Sequence, residues 1–355
     1  MHSDILNQSA RAISIHEPFS MAGASYAADQ AARAYLFAEE RARRSANTIR
    51  RHNADLAVFA RYLLAVGLPP VPVDADGVVL LATSAAPWAG LSWGMVKGFA
   101  AWMLTQGYAI ASINARLATV RLYASWAAQA GVLPAEMVVL IKGVKGYAHR
   151  DAHNLDAARA TTRIGTKKAT FHVLSREQVR RLKVQPDIPQ GRRDRVLLHL
   201  LLDHGLRCGE VARLPAEAID PERGTMTFYR PKVYKTQTHI LTPGTQAALA
   251  AYLGRDVPLT GSLLWASRKS GQLTMSGMSE RAITSRVAEL GRAVGVEQLS
   301  AHDLRHTWAT LAARAGTPVD RLQDAGGWNS PVMALRYLEA AAIANAGVRG
   351  FHDDD

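Results

Sequence analysis

The chain has 355 residues, 48% of them hydrophobic and 20% charged, with 42 Lys plus Arg against 30 Asp plus Glu. That balance excludes wholesale disorder and leaves room for two domains. The formal charge of +12 favours a polyanionic partner, with nucleic acid the commonest, although a basic soluble enzyme also satisfies it, and the single cysteine, Cys208, excludes an internal disulfide and a Cys-based zinc site.

Residues 1–24 read as a loose lead-in. They lack the apolar core of a secretory signal, and no apolar run approaches the about 20 residues that span a bilayer. A soluble cytoplasmic protein is expected. Residues 25–140 then read as a helical domain. Ala31 to Arg44 is Ala-rich and charged, and Ser45 to Thr48 offers caps for a helix that places Ile49, Leu56, Phe59, Tyr62 and Leu63 on one face. Arg41, Arg43, Arg44, Arg50 and Arg51 crowd its start. They suit a phosphate-facing surface, or simply a solvated face. A Pro- and Gly-rich connection over residues 67–90 leads to helices near Gly94 to Gln106 and Ser112 to Ala130.

Residues 141–172 carry Lys142, Lys145, Lys167 and Lys168 among other cations, with few large apolar side chains. They read as a basic linker able to lie along a phosphate backbone, with some helix near Leu155 to Ala160. The second domain, residues 173–355, restarts at Ser175, with Gln178 placed three later as a capping box requires. Arg195 to Asp203 is a strongly apolar helix. Met226 to Arg230 and Thr238 to Leu241 flank Pro231 to Thr236 as a β-hairpin. Further helices are expected near Ala247 to Leu253, Ser279 to Gly291, His302 to Ala315, Val319 to Ala325 and Pro331 to Ala344. The class is mainly α with a small antiparallel sheet.

Three local patterns carry chemistry in combination: Gly205-Leu206-Arg207-Cys208-Gly209-Glu210, His302-Asp303-Leu304-Arg305-His306, and Gly326-Gly327-Trp328 with Tyr337 nine positions after the tryptophan. Each alone has a bland reading: a helix-terminal cation, a structural helix start, a core tyrosine. With a hairpin lysine between the first two, their order resembles the tyrosine recombinase, or phage integrase, family. The resemblance is specific over about residues 173–340, and looser upstream, where residues 45–63 look like that family's helical core-binding domain.

The resemblance implies strand cleavage by Tyr337, giving a 3′-phosphotyrosyl link and a free 5′-hydroxyl. Arg207 and Arg305 would clamp the phosphate through permanently charged, forked donors. A phenol has a pKa of about 10 and needs a proton acceptor. His302 would take or share its proton, or bind the phosphate. The leaving 5′-oxygen needs a proton from the hairpin. Lys232 matches that slot better than Lys235; if neither is the acid, both bind phosphate. Trp328 stands where His is frequent and can donate but not accept. Glu210 orients an arginine or His302, or makes a surface salt bridge. His306 supports the site or packs, and Cys208 reads as a small buried residue.

No metal or cofactor is expected, since the phosphotyrosine conserves the bond energy and no carboxylate cluster suits Mg²⁺. The implied partners are double-stranded DNA bearing a specific site, a homotetramer on two sites and, in some settings, accessory proteins, without a membrane. The layout implied is Cre-like or Xer-like, two domains embracing the duplex, with a tail from Leu338 to Phe351 docking on a neighbour or closing its own core. The roles open are replicon or cointegrate resolution and mobile-element integration. Two other readings compete: a type IB topoisomerase-like relaxing enzyme, and a catalytically inactive DNA-binding protein.

Overall fold

A computed structural model describes residues 21–164 and 171–341. The chain divides into two compact units between Lys167 and Lys168. Most of the expected lead-in, Lys167, Lys168, and the tail beyond Ala341 lie outside the described residues.

The first unit is helical. Helix α1 spans Met21–Ala42 and α2 spans Ala46–Ala65. Ser45 caps α2 by accepting a hydrogen bond from the Thr48 amide, as its sequence promised. Leu56, Phe59, Tyr62 and Leu63 of α2 are buried on one face. Helices α3 (Trp93–Thr105) and α4 (Ile110–Gln129) complete the centre. Phe59 lies between Trp88, with ring centroids 6.0 Å apart, and Phe99, at 5.0 Å. The connection over residues 67–90 is therefore no bare loop. It makes two short 3₁₀ turns and buries Trp88, whose indole N–H donates to the Leu81 carbonyl at 2.9 Å.

Residues 141–164, expected to be linker, are instead part of this unit. Helices α5 (Ala135–Gly143) and α6 (His149–Ala157) carry Ile141 and Leu155 onto its core, and Ile141 is fully buried. Arg159 donates to the carbonyls of Leu104 and Tyr108 at 3.2 and 2.8 Å. The sequence hid this because few apolar anchors do the packing, and arginine–carbonyl bonds leave no periodicity.

The second unit is built round one helix. After α7 (Arg176–Lys183), whose Ser175–Gln178 capping box forms as expected, α8 runs over Pro189–Leu202. Val196, Leu197, Leu198, Leu200 and Leu201 are all fully buried. A helix apolar on every side belongs inside a core. It begins six residues before the expected Arg195, because its first turns hide charge in pairs. Arg192 grips Asp256 at 2.6 and 2.7 Å, and Asp194 pairs with Arg193 at 2.6 Å and Arg286 at 2.7 Å.

Helix α9 (Cys208–Ala212) follows, then an antiparallel sheet in the order β1 (Ile219–Asp220), β2 (Thr225–Arg230), β3 (Lys235–Ile240). The register sets Arg230 opposite Lys235 and Phe228 opposite Gln237. Helix α10 (Pro243–Tyr252) packs on α8, and β4 (Trp265–Ser267) pairs with β5 (Leu273–Gly277) in a second hairpin that the sequence reading missed. Helices α11 (Glu280–Ala293), α12 (Ala301–Arg314), α13 (Val319–Gly326) and α14 (Val332–Ala341) close the unit. Among the described residues no helix is long and apolar enough to cross a membrane.

The packing of Ile141 gives a direct check on the reassigned segment. Ile141→Ala should lower the stability of the first unit by about 2–5 kcal/mol, as truncating a core aliphatic does. Urea unfolding followed by circular dichroism would read this; a change near zero would restore the linker description.

Candidate active site

All the residues of this site lie in the second unit. The chain leaves α8 through Gly205, whose φ is +59° and whose Cβ position would fall 2.2 Å from the Trp308 ring. Only glycine satisfies both constraints. Its carbonyl accepts from Nη1 of Arg305. Two residues on, Arg207 stands at the N-cap of α9, and Glu210 folds back on it. The Arg207 amide donates to Glu210 Oε2 at 2.8 Å, and Arg207 Nη1 donates to Oε1 at 2.8 Å.

Helix α12 starts with a capping box between Ser300 and Asp303. Asp303 also accepts from the His172 amide at 2.9 Å, tying the segment before α7 to the helix start. The spacing of His302, Arg305 and His306 puts them on one side of α12. Helix α13 ends at Gly327, a left-handed residue at φ 58° and ψ 53°. That ending aims successive free carbonyls at three guanidiniums. Ala325 O accepts from Arg230 Nη2 at 2.8 Å, Gly326 O from Arg305 Nη2, and Gly327 O from Arg207 Nη2 at 2.9 Å. A helix C-terminus carries partial negative charge, so it is a natural seat for cations.

Trp328 follows directly. Its ring lies under the Arg305 guanidinium, 5.0 Å from the centroid, and stacks on Tyr337 at 5.6 Å with 27° between planes. The Tyr337 hydroxyl is 2.6 Å from His306 Nδ1, and His306 Nε2 is 2.8 Å from His302 Nε2. The chain is satisfied when Tyr337 donates to His306 and His306 donates to a His302 protonated on Nδ1; the reverse order, His302 to His306 to the phenolic oxygen, fits the same distances. Phe171 stacks on His306 at 4.2 Å and fixes its plane.

The electrostatics follow from this packing. Burial pushes the Tyr337 phenol above its ordinary pKa, and the charge of Arg305 opposes that. Burial first, then Arg305, holds His302 below the ordinary imidazole value, with Lys232 and Arg207 adding and Asp303 opposing. Arg305 is buried, and desolvation followed by repulsion from Arg207 and Arg230 lowers its pKa to about 9. It stays charged at neutral pH, as guanidiniums do. An incoming phosphate would relieve that repulsion.

Arg207, His302, Arg305, Trp328 and Tyr337 are thus brought together, joined by Glu210 and His306. Of the readings that His302 takes or shares the phenolic proton or binds phosphate, direct uptake is the one the geometry does not favour: the neighbour of Tyr337 is His306, expected to support the site or pack, and His302 lies behind it. Glu210, expected to orient an arginine or His302, holds the two arginines Arg207 and Arg230. Cys208 is half-buried rather than buried, its thiol donating to the Glu280 carbonyl at 3.4 Å. Lys232 is exposed in the four-residue β2–β3 turn, within electrostatic reach of His302. Lys235 is paired with Asp324 at 2.5 Å.

Arg230 was missed. Its signal was present in the alternation of β2, where Met226, Phe228 and Arg230 share the buried face. Of the cations singled out in the first unit, Arg41 donates to Asn53 and Tyr123 at 3.0 and 3.3 Å, and Arg43 and Arg44 pair with Glu39 and Glu40. Arg50 donates to Asn47 at 2.7 Å and Arg51 lies 3.4 Å from Asp55; Arg50, Arg51, Lys142 and Lys145 are all exposed. Among the described residues no group of three or more His, Cys, Asp or Glu is placed to hold a metal ion.

Comparison with known proteins agrees with this architecture. Residues 172–342 match the phage integrase family. Tyrosine recombinase XerD of Neisseria meningitidis serogroup B is 30% identical over 182 residues, covering 50% of this chain and 61% of that protein. The chain thus spans about three fifths of that relative's length. Tyrosine recombinase XerC of Myxococcus xanthus is 25% identical over 305 residues, covering 83% of this chain and 87% of that protein. The Tn1549 transposon integrase, solved with a circular intermediate DNA, superposes with a TM-score of 0.58 at 15% identity, covering 86% of this chain and 94% of that one. That likeness is one of fold: a helical first unit and a mainly helical second unit with small antiparallel sheets. The match over α7 to α14 makes the second unit a phage integrase family domain, similar in sequence to tyrosine recombinases.

Proposed function

We propose that the protein cuts and rejoins double-stranded DNA at a specific site, with Tyr337 as the nucleophile. The observation that carries this reading is the Tyr337 hydroxyl held 2.6 Å from a histidine, on a tryptophan that also underlies the Arg305 guanidinium. A phenol, a proton acceptor and a guanidinium in one place match the needs of attack on a phosphodiester.

In the first step the Tyr337 oxygen bonds to phosphorus and its proton passes to His306 Nδ1. His302 accepts from the far side of His306 and shares the charge. Arg207 and Arg305 take the two non-bridging oxygens, whose charge grows in the transition state. The bond to the 5′-oxygen breaks, and Lys232 supplies the proton that the leaving oxygen takes up. Lys235 is the weaker choice for this role because Asp324 already holds it. The product is a 3′-phosphotyrosyl strand and a 5′-hydroxyl. Attack by a 5′-hydroxyl of another strand reverses each transfer and reseals the backbone, with no ATP consumed.

By kinship with the family, the active assembly is a homotetramer on two DNA sites, served by accessory proteins in some settings and working in the cytoplasm beside its DNA. Arg50, Arg51, Lys142 and Lys145 are exposed and suit phosphate contacts, which are insensitive to base sequence. Arg41, Arg43 and Arg44 have partners inside their own unit and would need to share them with DNA. The role is resolution of replicons or cointegrates, or integration of a mobile element.

A nicked suicide substrate tests the nucleophile. Wild-type protein should accumulate a covalent adduct that migrates slowly in a denaturing gel, and Tyr337→Phe should give none; an adduct with the phenylalanine variant would move the nucleophile elsewhere. Lys232→Ala should cut the rate about 10²–10⁴-fold, the usual worth of a general acid. Replacing the leaving 5′-oxygen by sulfur, which needs no proton, should restore it. Rescue of Lys235→Ala instead would reverse the lysine assignment.

The proton path predicts a pH profile. His302 must be neutral to accept, and its pKa lies below the ordinary 6.5. Single-turnover adduct formation should be flat near neutrality and decline only as pH drops through that lowered value. His306→Gln should lose about 10²-fold or more across the range. An acid limb above 6.5, or a glutamine variant of nearly normal rate, would remove the histidines from the path.

A further inference from the structure

Arg230 is the last residue of β2, two before Lys232, and has no exposed surface. Its Nη1 donates to Glu210 Oε2 at 2.9 Å and its Nη2 to Ala325 O at 2.8 Å. A longer contact, 3.4 Å, joins Nη1 to Gly326 O, the carbonyl that also accepts from Arg305. Its Nε is buried with no hydrogen-bond partner. Stability alone does not explain an arginine here. A desolvated guanidinium with one donor unsatisfied is costly, and an apolar side chain of similar volume is commonly neutral or better.

The contacts of Arg230 are those of the phosphate clamp. Glu210 Oε2, which it holds, also receives the Arg207 amide, while Oε1 receives the Arg207 side chain. The carbonyls of residues 325 and 326, which it holds, precede the Gly327 carbonyl that receives Arg207 Nη2. The stem of Arg230 also fills the space a side chain at position 327 would need, its Cδ lying 2.5 Å from the Cβ position. One buried fork thus joins the Arg207 anchor, the α13 terminus and the root of the lysine hairpin.

We infer that Arg230 is a positioning residue for the reaction: without touching DNA, it fixes Glu210 and the 325–327 turn so that Arg207 and Arg305 present their free N–H groups to the scissile phosphate. It also leaves one carboxylate in direct contact with two guanidiniums, so Glu210 cannot neutralise Arg207 fully. The inference rests on the reading of Arg207 and Arg305 as phosphate ligands.

The test compares adduct formation by Arg230→Met on two suicide substrates, one with the natural phosphodiester and one with a methylphosphonate at the scissile position. The methylphosphonate centre has lost its negative charge and makes less demand on the clamp. On the phosphodiester at saturating DNA, the variant should be slower by about 10²-fold, the scale of losing one organised donor. Site affinity in a gel shift should stay within about threefold, since binding energy is spread over many phosphate contacts. On the methylphosphonate the defect should shrink at least about tenfold if it arises from clamp electrostatics.

Equal defects on both substrates, or an affinity loss matching the rate loss, would reduce Arg230 to a fold residue and overturn the inference. Arg230→Lys, which keeps the charge and gives up the fork, repeats the comparison if the methionine variant fails to fold by circular dichroism. Failure of both to fold would also overturn it. Tyr337→Phe runs alongside: an adduct there would sink the nucleophile assignment independently of the Arg230 comparison.

Discussion

The site depends on how one carboxylate and one helix end are divided among three guanidiniums. Glu210 meets Arg207 and Arg230, and the carbonyls of residues 325, 326 and 327 meet Arg230, Arg305 and Arg207 in turn. Each guanidinium is held in place, yet the group as a whole stays positive. Repulsion within it is visible at Arg305, whose pKa falls to about 9 through burial and its two arginine neighbours. A pocket charged in this way is poised for an anion, and its rigidity means little reorganisation when charge develops on phosphate oxygens.

The backbone makes this possible at two glycines. Gly205 turns the chain out of α8 under the Trp308 ring, and Gly327 turns it out of α13 against the Arg230 stem. Both have positive φ, and neither leaves room for a Cβ. Their carbonyls serve as ligands for Arg305 and Arg207, so the glycines are part of the electrostatic arrangement as well as of the turns. Trp328 then links charge to phenol, offering one ring to Arg305 and to Tyr337.

The phenol itself is poorly disposed to ionise, because burial raises its pKa. The two histidines answer that problem by position. His306 receives the hydroxyl, and His302 lies behind it with its pKa depressed by burial and surrounding cations. Stacking on Phe171 limits the tilt of His306, so a residue from the segment before α7 takes part in orienting the imidazole beside Tyr337.

Much of this was legible in the order of residues along the chain. Local signals, namely caps at Ser45 and Ser175, the alternation of β2, and the spacing of His302, Arg305 and His306 on one helix, depend on neighbours within a few positions, and the structure repeats them. The motif order from Gly205 to Tyr337 sufficed for the family. What only the folded chain decided involves partners far apart in sequence: which histidine faces Tyr337, that Glu210 serves Arg230 as well as Arg207, that Asp324 occupies Lys235, and that residues 141–164 pack on the first unit. Periodicity records whether a side chain is buried, whereas the partner that makes a buried charge tolerable is chosen by tertiary packing. For that reason Arg192 and Arg193 stand inside the fold with nothing in the sequence to mark them, and Arg230 shows only its place in the β2 alternation.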